Sequence, residues 1–242
     1  YHHGCCCVSL IESLSLSASP RSQRAKTFVL TFDDGYEDFF SQAFPILQRY
    51  GFTATVFLVT NLVGTKSNWA GEQGNPLLTW AQVKTLHNAG ISFGSHTHTH
   101  PVLPRLSEEQ IHQELAASKA CSETKLGQEV ALLAYPYGAS NTLVQGIAKT
   151  VGYKAACGVI NGKAGPFNLW RCECHKDDTF QTFIYKLSPR YRYLGQLRSW
   201  LRDETRVGQF LRQLKRRRFA KMGRVSRETP LPGLISNKGV EQ

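Results

Sequence analysis

The sequence has no run of 18 or more apolar residues, so no segment of its 242 positions reads as a membrane-spanning helix. It has no CxxC pair. Its seven cysteines are an odd number, with Cys5, Cys6 and Cys7 consecutive and Cys172 and Cys174 flanking Glu173. That spacing suits neither a zinc knuckle nor a disulfide framework, and the cysteines read as free thiols, some of them buried. There is no internal repeat. The chain does not open on Met, which points to a fragment or a processed end. Residues 8–16 are mildly apolar but carry Glu12 and no basic leader, so they do not read as a signal peptide.

Acidic residues are also scarce, 18 against 29 Lys+Arg, for a net charge of +11. The imbalance is local. Residues 190–227 hold 13 basic side chains and 2 acids, Asp203 and Glu204, which leaves 16 of each sign elsewhere. The basic pI therefore describes the C-terminal segment and says little about the rest. Hydrophobic content of 41% with 20 Gly and 10 Pro is ordinary for a globular chain, and the length suffices for one core with a small appendage.

Residues 27–158 alternate between two patterns. Short β-branched or aromatic runs at 27–32, 55–59, 91–95, 131–134 and 155–158 each end in a polar cluster. Segments with helical spacing lie between them at 38–50, 80–89, 107–126 and 143–151. Ser107 and Gln110 form a capping-box pattern, and Gly51, Gly90 and Gly127 sit where left-handed caps are needed. This alternation predicts a parallel sheet with helices outside, in an open sheet or a barrel. In both, a site belongs at the C-terminal strand ends, where the polar clusters fall. A further strand is expected at 169–174 and a helix at 179–187. Helical periodicity with arginines on the opposite face runs over 194–214, and the stretch from about residue 223 has a disordered composition.

Three constellations carry chemistry. Thr31-Phe32-Asp33-Asp34-Gly35 puts two mutually repelling carboxylates at a strand end. A regular strand would point them to opposite faces, and Gly35 permits the bend that lets both reach one site. A cation would relieve the repulsion, one acid binding it while the other takes a proton. The plainer alternative is an acidic N-terminal turn for the next helix. Ser95-His96-Thr97-His98-Thr99-His100-Pro101 gathers three of the eight histidines. A helical turn would put His96 and His100 on one face, and an extended segment would align all three. One carboxylate and two imidazoles suit a hydrolytic, zinc-like site with an open position. Ala134-Tyr135-Pro136-Tyr137-Gly138 follows an apolar strand and offers aromatics for a sugar ring, although turn chemistry alone explains its Pro and Gly.

In this order the three motifs resemble the polysaccharide deacetylase family, also called the NodB-homology or carbohydrate esterase family 4 enzymes. The resemblance covers about residues 26–187. It implies an α/β fold, a distorted, incomplete (β/α) barrel of the NodB type, here followed by a C-terminal basic amphipathic helix. The implied organisation is a truncated N-terminal segment (1–25), the deacetylase domain (26–187), a basic helical extension (188–222) and a disordered tail (223–242). The implied activity is metal-dependent hydrolysis of the acetamide of N-acetylated glycans. It makes Asp33 the catalytic base and Asp34, His96 and His100 the ligands of one divalent ion, zinc first. Tyr137 becomes the residue whose backbone N–H holds the oxyanion. His98 matches a variable position. The family also implies the cell envelope.

Two features depart from the pattern. Many members carry an Arg two residues before the Pro of the third motif, where it orients the base; here that position is Ala134, and Arg171 is the candidate replacement. The late Leu-x-His motif that supplies an acid in many members is not recognisable, and His175 reads as a surface residue. Two other readings compete with catalysis. One is a catalytically silent carbohydrate-binding protein. The other places function in the basic segment 190–227, on an anionic membrane surface. Few aromatics interleave those charges, so nucleic acid is the weaker partner.

Overall fold

The computed structural model of the chain describes residues 5–17, 26–69, 73–158, 165–175, 177–188, 190, 191 and 194. Two compact units are present, residues 1–178 and 179–242.

The first unit begins with β1 (Cys5–Cys7), α1 (Leu10–Ser17) and β2 (Lys26–Phe28), and β1 pairs with β2 in parallel. The main sheet has five strands: β3 (Thr31–Phe32), β4 (Thr55–Leu58), β5 (Ser92–Ser95), β6 (Leu132–Ala134) and β7 (Ala155–Cys157). All pair in parallel, and their spatial order follows the chain. The helices between them are α2 (Phe44–Tyr50), α3 (Trp80–Asn88), α4 (Glu108–Leu126) and α5 (Thr142–Thr150). Parallel crossovers are right-handed as a rule. A strand order that never reverses then stacks the crossover helices on one face and curls the sheet, whereas an open doubly wound sheet reverses at a switch point. The alternation of elements allowed an open sheet or a barrel, and the sheet forms the incomplete barrel that the family resemblance implied.

The pleat sorts the core into two layers. Leu133 of β6 packs outward with Ile111 and Leu115 of α4 and Val144, Ile147 and Ala148 of α5. Its neighbours Leu132 and Ala134 face the other way, into a cluster with Phe57, Ala155, Cys157 and Leu10 of α1. Val56 and Leu58 of β4 pack against Phe44 and Leu47 of α2 and Val83 and Leu86 of α3. Each Val, Leu, Ile or Phe side chain among them contributes about 1.5–3 kcal/mol through burial. The helix caps formed where local chemistry placed them. Ser107 and Gln110 close a capping box, and Gly51 and Gly127 are left-handed C-caps. Thr79 and Gln82 close a second box at α3.

Three expected elements differ. The run 27–32 is divided into β2 and β3, because its first half pairs with β1 and its second with β4. The helix expected from residue 38 opens as a π-helical turn, Phe39–Ala43, before α2. Pro45 has no N–H to close the regular i→i−4 bond there, so the turn widens. The strand expected at 169–174 is reduced to one parallel bridge, Cys157 to Leu169, after which the described chain is irregular.

The second unit contains α6 (Phe180–Leu187), whose cap Thr179 accepts the Thr182 N–H at 3.2 Å. The expected basic helix and the tail beyond it lie outside the described residues, apart from 188, 190, 191 and 194. The basic segment proposed to meet a membrane shares that position.

Candidate active site

All three sequence motifs emerge at the C-terminal ends of main-sheet strands. After β3 the chain turns sharply, with Asp34 at φ 70° and Gly35 at φ 72°. Both are in the left-handed region, which Gly enters freely and Asp tolerates better than most residues. A Cβ on Gly35 would also lie 2.7 Å from Leu58 Cδ2. This double bend sends the adjacent carboxylates to different partners.

Asp33 meets Arg171. The guanidinium donates Nη1–H to Oδ1 at 2.6 Å and Nη2–H to Oδ2 at 2.7 Å, and Nη1 also reaches the Thr31 hydroxyl at 3.2 Å. Arg171 lies over the Phe57 ring, 5.6 Å from its centroid. Burial acts to raise the Asp33 pKa, but the neighbouring His96 ring and Arg171 outweigh it and hold the group below the usual carboxylate range. Arg171, the candidate replacement for the arginine absent at Ala134, thus reaches Asp33 with both of its terminal nitrogens.

Asp34 meets the histidines. His96 and His100 Nε2 approach its Oδ1 at 3.4 and 3.2 Å. His96 Nδ1 is 2.8 Å from the Ala134 carbonyl. A carbonyl can only accept, so Nδ1 carries the proton and the Nε2 lone pair is left facing Asp34. Ala134 thus serves the site through its backbone. The His100 ring is packed by Trp69 at 4.2 Å and Tyr137 at 4.8 Å between centroids.

The histidine segment is neither the helical turn nor the extended run that its spacing allows. Thr97 and His100 take φ values of 69° and 65°, and the resulting loop sets the His96 and His100 rings 4.9 Å apart. His98 leaves the cluster and pairs its Nδ1 with the Thr60 hydroxyl at 2.9 Å. Local spacing could not show this shape, because the loop is held by residues distant in sequence, Thr60, Asn61 and Glu114.

Asp34, His96 and His100 each offer a ligand atom, and these atoms lie within 4.8 Å of one another. Asp34 Oδ1 and His100 Nδ1 are buried and have no hydrogen-bond partner among the described residues. A buried carboxylate oxygen facing two imidazole nitrogens is costly unless a proton or cation lies among them. The electrostatics agree. Burial acts to lower the His96 pKa, yet Asp34 and Asp33 outweigh it and raise it, so the pocket favours positive charge. Asp34 is held well below the usual range; burial opposes this, and the contacts to His100 and His96 prevail. One carboxylate and two imidazoles fit a divalent cation.

Tyr137 sits beside this group, in the left-handed region at φ 58°, and the residue is 53% exposed. His175 is exposed next to Glu173, at 3.6 Å. Cys6, Cys7, Cys121, Cys157 and Cys174 are free thiols. The sequence reading missed Trp69 and Glu114. A lone Trp in a polar connection was a usable signal for the first; nothing local marked the second.

Comparison with known proteins agrees with this geometry. The polysaccharide deacetylase family profile matches residues 21–156. YxkH of Bacillus subtilis is 34% identical over 143 residues, covering 59% of this chain and 48% of that protein. The poly-β-1,6-N-acetyl-D-glucosamine N-deacetylase of Staphylococcus aureus is 27% identical over 134 residues, covering 52% and 45%. The chain thus spans about half the length of these two relatives. Among solved structures, the deacetylase PplD of Streptococcus pyogenes, in complex with acetate, superposes with a TM-score of 0.65 at 29% identity, over 77% of this chain and 81% of that one. A barrel with paired acids after β3, a histidine loop after β5 and a Tyr-Pro-Tyr-Gly turn after β6, matched by the family profile over more than half its length, belongs to the polysaccharide deacetylase family.

Proposed function

We propose that this chain hydrolyses the acetamide of N-acetylated sugars in a polymer or glycoconjugate, releasing acetate and leaving a free amine. The observation that carries the reading is the division of labour between neighbours: Asp33 is held by Arg171, and Asp34 faces His96 and His100. Asp33, kept ionised and oriented by the guanidinium, takes the proton of the attacking water. The backbone N–H of Tyr137 donates to the oxyanion that develops on the acetamide oxygen. His96, with its tautomer set by Ala134, and His100, packed by Trp69, keep their rings in place for a cation. A divalent ion held by Asp34, His96 and His100, zinc in our reading, would polarise the carbonyl and acidify water. The name of the Staphylococcus aureus relative supports an N-acetylglucosamine polymer as the substrate class.

The test is acetate release from a panel of N-acetylated glycans by metal-loaded protein, wild type beside Asp33→Asn. Wild type should release acetate from at least one glycan, and Asp33→Asn should lose about 10²–10⁴-fold in rate. No release from any of them overturns the proposal. Glycan binding without release, unchanged in Asp33→Asn, would identify a binding protein instead.

A further inference from the structure

The histidine loop keeps a shape that its own sequence disfavours. Two of its non-glycine residues, Thr97 and His100, are left-handed, and one of them is a proposed ligand. Backbone in that region persists only where the surroundings impose it. At the tip of the loop the imposing group is a carboxylate. Glu114, in the second turn of α4, accepts the backbone N–H of His98 and of Thr99 through Oε2, each at 2.9 Å, and the Thr99 hydroxyl through Oε1 at 2.6 Å. The loop is also anchored at its entry. The Ser95 hydroxyl accepts the Thr97 N–H at 3.2 Å and meets Ser118 of α4 at 2.7 Å. Across the loop, the N–H groups of Thr60 and Asn61 reach the carbonyls of Thr97 and His98 at 3.3 and 3.0 Å.

Glu114 has features that set it apart from a surface acid. All three of its hydrogen bonds converge on two consecutive residues, His98 and Thr99, that lie between the two ligand histidines. Among the described residues it forms no ion pair. Charge-assisted bonds from a carboxylate to backbone N–H are stronger than neutral ones. The residues it grips are not ligands: His98 turns to Thr60, and Thr99 is exposed. A grip on the middle of the segment controls how far apart its two ends lie, and those ends carry the His96 and His100 rings.

We infer that Glu114 is a positioning residue: α4 uses its carboxylate to hold the histidine loop in the shape that brings His96 and His100 to Asp34. It touches neither the cation nor the substrate and acts through the loop backbone. The inference rests on the metal reading above, and its test separates the two.

Binding of Zn²⁺ and Co²⁺ to metal-free protein is measured by calorimetry, together with the visible spectrum of the Co²⁺ form and the thermal midpoint of the metal-free form. Five proteins are compared: wild type, Glu114→Ala, Glu114→Gln, Thr99→Val and, as the control for the metal site itself, Asp34→Ala. Glu114→Ala should weaken the Kd by about 10–100-fold, the range seen when support around ligands is removed, and should alter the Co²⁺ spectrum. Glu114→Gln retains an oxygen for the two N–H groups and places its amide where the Thr99 hydroxyl oxygen can accept, so it should stay within about threefold of wild type. Thr99→Val removes one bond at an exposed site and should fall between them; it keeps the test informative if Glu114→Ala does not fold. Equal Kd values and spectra for wild type, Glu114→Ala and Thr99→Val overturn the inference, even if the thermal midpoint falls, since that is the mark of a purely structural role. If wild type binds no cation, or Asp34→Ala binds as well as wild type, the metal reading itself fails and takes this inference with it.

Discussion

Arg171 clasps Asp33 with two parallel hydrogen bonds of 2.6 and 2.7 Å, joining residues 138 positions apart in the chain. A guanidinium opposite a carboxylate in this fork fixes the orientation of the acid as well as its charge. Ala134 contributes its carbonyl to His96.

The first prediction follows from that fork. Lysine keeps the charge of Arg171 but cannot form two parallel bonds. Arg171→Lys should lower kcat for acetate release by about 10²-fold, the scale of a small misplacement of a reacting group, with KM little changed. Arg171→Ala should lose more. Steady-state kinetics on the best glycan checks both; a wild-type kcat in Arg171→Lys would show that the fork is not needed.

Metal removal is the second. Dialysis against a chelator should abolish acetate release, and one equivalent of a divalent ion per chain should restore it. Ion at 100 times its Kd should stabilise the fold by about 2.7 kcal/mol, read as a rise in thermal midpoint. Asp34→Ala should lose both effects, because it removes the carboxylate that His96 and His100 face.

Two glycines should respond with opposite signs. A Cβ on Gly94 in β5 would lie 2.5 and 2.6 Å from Phe57 ring atoms and 3.0 Å from the Leu132 carbonyl. Gly94→Ala should therefore destabilise by about 1–3 kcal/mol through overpacking. Gly146 lies on the exposed side of α5, with no atom of the described residues within 4 Å of an added Cβ. Gly146→Ala should stabilise by about 0.5–1 kcal/mol. Urea unfolding of both variants against wild type reads the two signs.

The cysteines should differ in reactivity. Burial pushes the Cys157 thiol up to about 11, and the residue is fully enclosed, whereas Cys174 is exposed. Thiolate is the reactive form, so brief iodoacetamide treatment at neutral pH should alkylate Cys174 and spare Cys157 until the protein is unfolded. Peptide mass spectrometry reports both sites, and early labelling of Cys157 would contradict the buried position.

The resemblance to a known family supplied the roles of Asp33, Asp34, His96, His100 and Tyr137, whereas the alternation of strands and helices and the caps at Ser107, Gly51 and Gly127 were legible in the residues themselves. These signals are local: periodicity, capping and motif spacing act over a few residues. Tertiary structure alone decided the rest. Whether the sheet stayed open or curled depended on strand order, which no single segment encodes. The first strand run divided because its halves found different partners, β1 and β4. The histidine segment took a loop shape imposed by Thr60, Asn61 and Glu114, against the preferences of its own residues. The family resemblance gave Asp33 and Asp34 different roles, but their different surroundings come from the fold, because a left-handed bend turned one toward Arg171 and the other toward two imidazoles.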